Sequence, residues 1–163
     1  GFGHLQKGHG VAFGDLDNDG DQDIYAVLGG AYSGDVFTNM LFENPGHGNH
    51  WLNLKLAGVQ SNRAGIGTRI QVEIREATGL RTIHILTGTG ASFGASPLQQ
   101  EIGLGSAKTI DELTLSWPSG TIQTFPNVQA NRKYRVREDA TTLEPIEVQP
   151  ITLASGGTNA HQH

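Results

Sequence analysis

The sequence predicts an all-β fold, an antiparallel sandwich or barrel-like assembly, and three observations predict it. Glycine supplies 23 of the 163 residues with only 6 prolines and no collagen period, so the chain is rich in turns. Short runs alternate apolar and polar residues with the period of two that suits half-buried strands. No stretch carries a convincing helical period, which argues against a bundle.

The elements follow in order. Residues 11–13 and 24–28 read as strands on either side of a dense acidic segment. Residues 51–56 alternate, as do 69–75, 80–86 and 113–117. Trp117-Pro118-Ser119-Gly120 reads as a β-turn between two such runs. Residues 121–125 and 133–137 follow as strands. Residues 146–149 and 151–153 are expected to form one more, before 154–159 loosens into a polar end. Three segments are expected: 1–44, a strand–loop–strand unit; 45–138, the main β domain; and 139–163, a linker or a strand-donating arm.

Composition excludes several functions. Zero cysteines rule out disulfides, thiolate zinc sites, c-type haem attachment and a Cys nucleophile. No run approaches the length of a transmembrane helix. The opening Gly-Phe-Gly-His reads as neither a signal peptide nor its remnant. The net charge of −5 makes nucleic-acid binding improbable. That charge is uneven: residues 1–50 carry −6 and the remainder +1. Five aspartates between positions 15 and 23 account for the excess, and charges so dense repel unless a cation neutralises them.

That segment reads Asp15-Leu16-Asp17-Asn18-Asp19-Gly20-Asp21-Gln22-Asp23. Asp15, Asp17 and Asp19 occupy positions 1, 3 and 5 of a calcium loop, and Gly20 holds position 6, where a sharp turn needs backbone freedom. Asp21 would contribute its carbonyl or a supporting contact at position 7, and Asp23 stands at position 9. Hard oxygen donors so spaced suit Ca²⁺ at about 2.3–2.6 Å better than Mg²⁺, which demands strict octahedral geometry. Position 12 is Ala26 where an EF-hand needs Glu, and the flanks are strands, so this is no EF-hand.

The strand–loop–strand Asp-x-Asp-x-Asp-Gly-x-x-Asp unit, preceded by Phe13-Gly14, resembles the calcium loops of FG-GAP (VCBS-type) β-propeller repeats. A second resemblance lies downstream. Asn49-His50-Trp51-Leu52-Asn53-Leu54-Lys55-Leu56-Ala57-Gly58, Ser61-Asn62-Arg63-Ala64-Gly65-Ile66-Gly67, Gly103-Leu104-Gly105 and Trp117-Pro118-Ser119-Gly120 look like the ASPIC/UnbV domain. That domain typically follows FG-GAP repeats in the cartilage acidic protein-like family and its bacterial relatives. The two resemblances imply a calcium-binding, extracellular or surface-associated protein. Only one calcium loop is visible, and one blade cannot close a propeller. The chain is thus a fragment, or the unit docks on the ASPIC-like sheet, or another subunit covers it.

Other chemistry is sparser. His47 and His50, and His161 and His163, form pairs that can bind Zn²⁺ or Ni²⁺, without a third ligand of suitable spacing. The segment 88–94 lacks the Gly-Lys-Ser/Thr ending of a phosphate loop, and Gly103-Leu104-Gly105 fails the dinucleotide fingerprint. Lys133, Arg135 and Arg137 alternate, giving a basic strand face for an acidic glycan or a partner's carboxylates, or a solvated edge strand guarded by charge. Ser92 and Ser96 sit in no nucleophile elbow, and nothing pairs Glu73, Glu76, Glu101 or His84 for catalysis. The expected function is therefore a non-catalytic, calcium-stabilised extracellular adhesion or assembly module that self-associates or binds other surface proteins. A carbohydrate-binding module with Trp51, Trp117 or Tyr134 as a platform, or an accessory domain of a larger enzyme, are the alternatives.

Overall fold

The computed structural model describes residues 7–30, 32–88, 90 and 94–153. Its described residues form strands and no helix. β1 (Gly8–Gly14), β2 (Asp23–Leu28) and β3 (Met40–Phe42) make a three-stranded antiparallel sheet in that order. β4 (His50–Ala57), β5 (Arg69–Glu76), β6 (Gly79–Leu86), β7 (Gln100–Gly105), β8 (Thr109–Ser116), β9 (Ile122–Gln129), β10 (Arg132–Arg137) and β11 (Glu144–Pro145) divide between two further sheets. Their orders are β11-β10-β4-β7 and β6-β5-β8-β9.

Alternation decides which residues meet between these two sheets. Leu52, Leu54 and Leu56 of β4 face Ile70, Val72 and Ile74 of β5 and Ile110, Leu113 and Leu115 of β8 in one buried cluster, joined by Tyr134 and Val136 of β10. Each such side chain contributes about 1.5–3 kcal/mol relative to exposure. Stability therefore sits in the sandwich. The N-terminal sheet buries Ala26 and Leu28 but leaves Val11, Phe13, Tyr25, Val27 and Leu41 exposed.

Several expectations need correction. The sheets are not purely antiparallel: β10 pairs with β4 in parallel, from Arg132↔Leu52 to Arg137↔Ala57. A parallel pair needs a long crossover, and the whole other sheet lies between these strands in the chain. The sheets do not close into a barrel. The strand expected over 146–149 and 151–153 is absent; β11 covers only Glu144–Pro145 and its pairing with β10 ends one bond later, Ile146 N–H donating to Lys133 O at 2.8 Å. β3 and β7 were not foreseen, β3 because it has three residues and β7 because Gly103 and Gly105 interrupt its apolar pattern. The run expected at 121–125 continues to Gln129, carrying Pro126 on a sheet-edge strand that tolerates it. The turn at Trp117–Gly120 forms as read, Gly120 N–H donating to Trp117 O at 2.9 Å.

Candidate metal centre

The acidic loop joins β1 to β2, and its own side chains shape it. Asp17 Oδ1 accepts the Asp19 N–H at 3.2 Å and Asp19 Oδ1 the Asp21 N–H at 3.0 Å, two successive side-chain turns. Asp23, 1% exposed, uses both oxygens as a brace: Oδ2 accepts Leu16 N–H at 3.1 Å and Oδ1 accepts Asn44 N–H at 2.9 Å. Gly20 takes a φ of 100°. A Cβ there would stand 1.8 Å from the Trp51 indole, so the position excludes every side chain on two counts.

The loop lies against the outer face of the β4/β7 sheet. Asn53 and Glu101 are directly opposite in the β4–β7 register. Asn53 Nδ2 donates to Asp15 Oδ2 at 3.1 Å. Glu101 accepts the Asp15 N–H at 3.2 Å and Gln22 Nε2 at 2.9 Å. This seat explains why Asn53, on the outward side of β4, is 1% exposed. The C-terminal segment adds a further tie, Ile151 N–H donating to Asp17 O at 2.7 Å.

Within this frame Asp15, Asp17 and Asp19 each present an oxygen, all within 4.8 Å of one another. Asp15 Oδ1 and Asp21 Oδ1 are buried with no hydrogen-bond partner among the described residues. Burial, followed by the charges of Asp19, Asp23, Asp17 and Asp15, pushes Asp21 up to about 6. Burial also raises Asp15, against the lowering pull of the Gly20 N–H and with the Glu101 charge adding to the rise. Asp17 rises from burial as well, the Asp19 N–H opposing and the Asp19 charge adding. The carboxylates are thus crowded, partly desolvated and short of donors, and they fit a hard cation supplied with oxygen ligands. Of the five aspartates, Asp23 is set apart by its two backbone bonds.

The remaining candidate residues fall elsewhere. A cleft of about 490 Å³ beside the loop is lined by Asp19, Asp21, His47, His50, Trp51 and Glu101, among others. His47 and His50 join no three-ligand cluster among the described residues, and His161, His163 and Ser92 lie outside them. Trp51 is half-buried against Gly20. Trp117 is 3% exposed, its Nε1–H donating to Gln123 Oε1 at 2.6 Å, and Tyr134 is buried too, so neither is an exposed platform. Lys133, Arg135 and Arg137 share the outer face of β10, which is an interior strand and not the edge expected. Arg135 pairs with Glu144 at 3.1 Å and Arg137 with Asp139.

Sequence reasoning missed one buried carboxylate entirely. Glu138, 3% exposed, accepts the Val59, Gln60 and Ser61 N–H groups on Oε2 at 2.6, 2.7 and 2.8 Å. Its Oε1 accepts the Ser61 and Ser119 hydroxyls. Burial pushes this carboxyl up, but the hydrogen bonds from Ser119, Ser61 and Val59 outweigh it and hold it at about 2. Glu138 thereby ties the β4–β5 loop to the Trp117–Gly120 turn. No spacing rule links positions 59–61, 119 and 138, so only the fold reveals it.

A family model described as ASPIC and UnbV matches residues 58–143, just over half of the chain. The match spans Ser61, Trp117, Ser119 and Glu138, and begins after the acidic loop. A search of curated proteins gave no match.

Proposed function

The chain belongs to the ASPIC and UnbV family, and from that premise we propose that it is a non-catalytic module stabilised by one Ca²⁺ in an FG-GAP/VCBS-type loop. It works outside the cytoplasm in adhesion or assembly. The observation that carries this reading is the convergence of Asp15, Asp17 and Asp19 oxygens beside the unpartnered buried oxygens of Asp15 and Asp21. A divalent ion bound by Asp15, Asp17, Asp19 and Asp21 cancels their repulsion and holds the N-terminal sheet to the sandwich through the Asn53–Glu101 seat. Asp23 supports the loop from behind. Extracellular modules bind calcium with Kd of about 10⁻⁴–10⁻³ M, which suits millimolar calcium outside the cell.

Self-association is part of the proposal. Tyr25, Val27 and Leu41 stay exposed on one face of the three-stranded sheet, with Val11 and Phe13 on the other, and a second copy would cover the Tyr25–Val27–Leu41 face. An aromatic platform for neutral sugars is disfavoured by the burial of Trp117 and Tyr134. Among the described residues no helix is long and apolar enough to cross a membrane.

The test is a melting curve with millimolar calcium and with chelator. At about 1 mM calcium a site of that affinity stabilises by about 0.4–1.4 kcal/mol, which raises Tm by about 1–6 °C. The Asp17→Ala plus Asp19→Ala variant abolishes that rise. A variant that keeps it refutes the calcium site. Sedimentation velocity under the same two conditions gives larger species in calcium; a monomer in both refutes assembly.

A further inference from the structure

The outer face of the β11-β10-β4-β7 sheet carries a second feature that the acidic loop does not use. Lys55 and Arg135 are direct register partners on β4 and β10. Like charges placed opposite one another destabilise a sheet. Lys133 stands two residues from Arg135, about 6.6 Å along the same face, and Arg63 joins from the loop after β4. These four cations line one trough of about 710 Å³, within the range of about 300–1,000 Å³ for ligand clefts. Arg135 meets Glu144 at 3.1 Å. Lys55, Arg63 and Lys133 have no carboxylate within ion-pair distance among the described residues. Three unneutralised cations around a concave wall, in a chain of net charge −5, are an arrangement that a bound anion relieves.

We propose that this trough binds an acidic polysaccharide, one bearing sulfate or uronate groups. Two features favour a glycan over an acidic peptide. β4 and β10 are interior strands, and the outer side of β10 is taken by β11 and by Ile146, whose N–H donates to Lys133 O at 2.8 Å. No backbone edge is therefore open at the trough for a peptide strand to pair with. The face offers only side chains: cations for the acidic groups, and Leu98 and Ile146 for the C–H surfaces of sugar rings. Recognition by charge also fits a lining without aromatic side chains among the described residues.

The probe is heparin, with dextran as a neutral polymer and poly-glutamate as an acidic peptide. Binding is measured to the full chain at physiological ionic strength. An exposed ion pair is worth up to about fivefold in affinity, so Lys55→Ser plus Arg63→Ser should weaken heparin binding about tenfold. Both side chains are exposed, and a melting curve verifies that the variant is folded. Arg69→Ser plus Lys108→Ser removes the same charge outside the trough and should leave affinity within about twofold; Lys133→Ser supplies an independent loss. No heparin binding by the native chain, equal weakening in both double variants, or poly-glutamate binding as tight as heparin would each overturn the proposal, the last in favour of an acidic peptide.

Discussion

Replacing Glu138 by Gln removes one charge and leaves the shape intact, which makes the cost calculable. Three backbone N–H groups, from Val59, Gln60 and Ser61, point at Oε2. A hydrogen bond to a charged acceptor contributes about 1.5–3 kcal/mol against about 0.5–1.5 kcal/mol for a neutral one. Each of the three bonds thus loses about 1 kcal/mol. The amide group would face the Ser61 and Ser119 hydroxyls, which can rotate to accept, so that side is near neutral. The sum is about 3 kcal/mol, a fall in Tm of about 6–12 °C for a chain of this size. Urea midpoints and melting curves measure it, in calcium throughout. Asp139→Asn is the control, since Asp139 is exposed beside Arg137 and solvent screens such a pair. The pH dependence has a definite sign. Glu138 is lowered from 4.5 to about 2, so its stabilisation is fully present above pH 4.5 and is lost as pH falls through about 2. The gap between native and variant should hold at neutral pH and narrow in that acid window. A loss below about 1 kcal/mol, or one no larger than that of the control, refutes the idea that the buried carboxylate clamps the two loops.

Two further predictions concern packing. Gly20→Ala drives a Cβ into the Trp51 indole and strains a φ of 100°; it should cost about 1–3 kcal/mol, shift Trp51 fluorescence and weaken calcium-dependent stabilisation, and an unshifted spectrum with native calcium response would refute the contact. Gln123→Leu strands the Trp117 N–H and the Arg137 and Ala140 carbonyls; urea unfolding should show a loss of about 2–3 kcal/mol, and a neutral result would show that water substitutes freely.

The legible parts share one property: they depend on neighbours in sequence. The strand at 69–75 was readable because Ile70, Val72 and Ile74 alternate with polar residues, and one buried face is all such a strand requires. The turn at Trp117–Gly120 was readable because its hydrogen bonds close within four residues. Likewise the acidic loop, whose side chains bond to N–H groups two residues on. By contrast, β7 was hidden by Gly103 and Gly105, whose missing side chains erase the alternation on its outer face.

By itself, then, the sequence determined an all-β chain, its main strands, and a dense cluster of aspartates. Tertiary structure alone decided what that cluster rests on. Asn53 and Glu101 become a seat for Asp15 only through the β4–β7 register, Trp51 meets Gly20 across 31 positions of chain, and Lys55 meets Arg135 through a parallel pairing. Local geometry follows from backbone sterics and periodicity over a few residues. Contacts between distant residues follow from which sheet faces bury the most apolar surface together, and that competition is settled only by the whole fold.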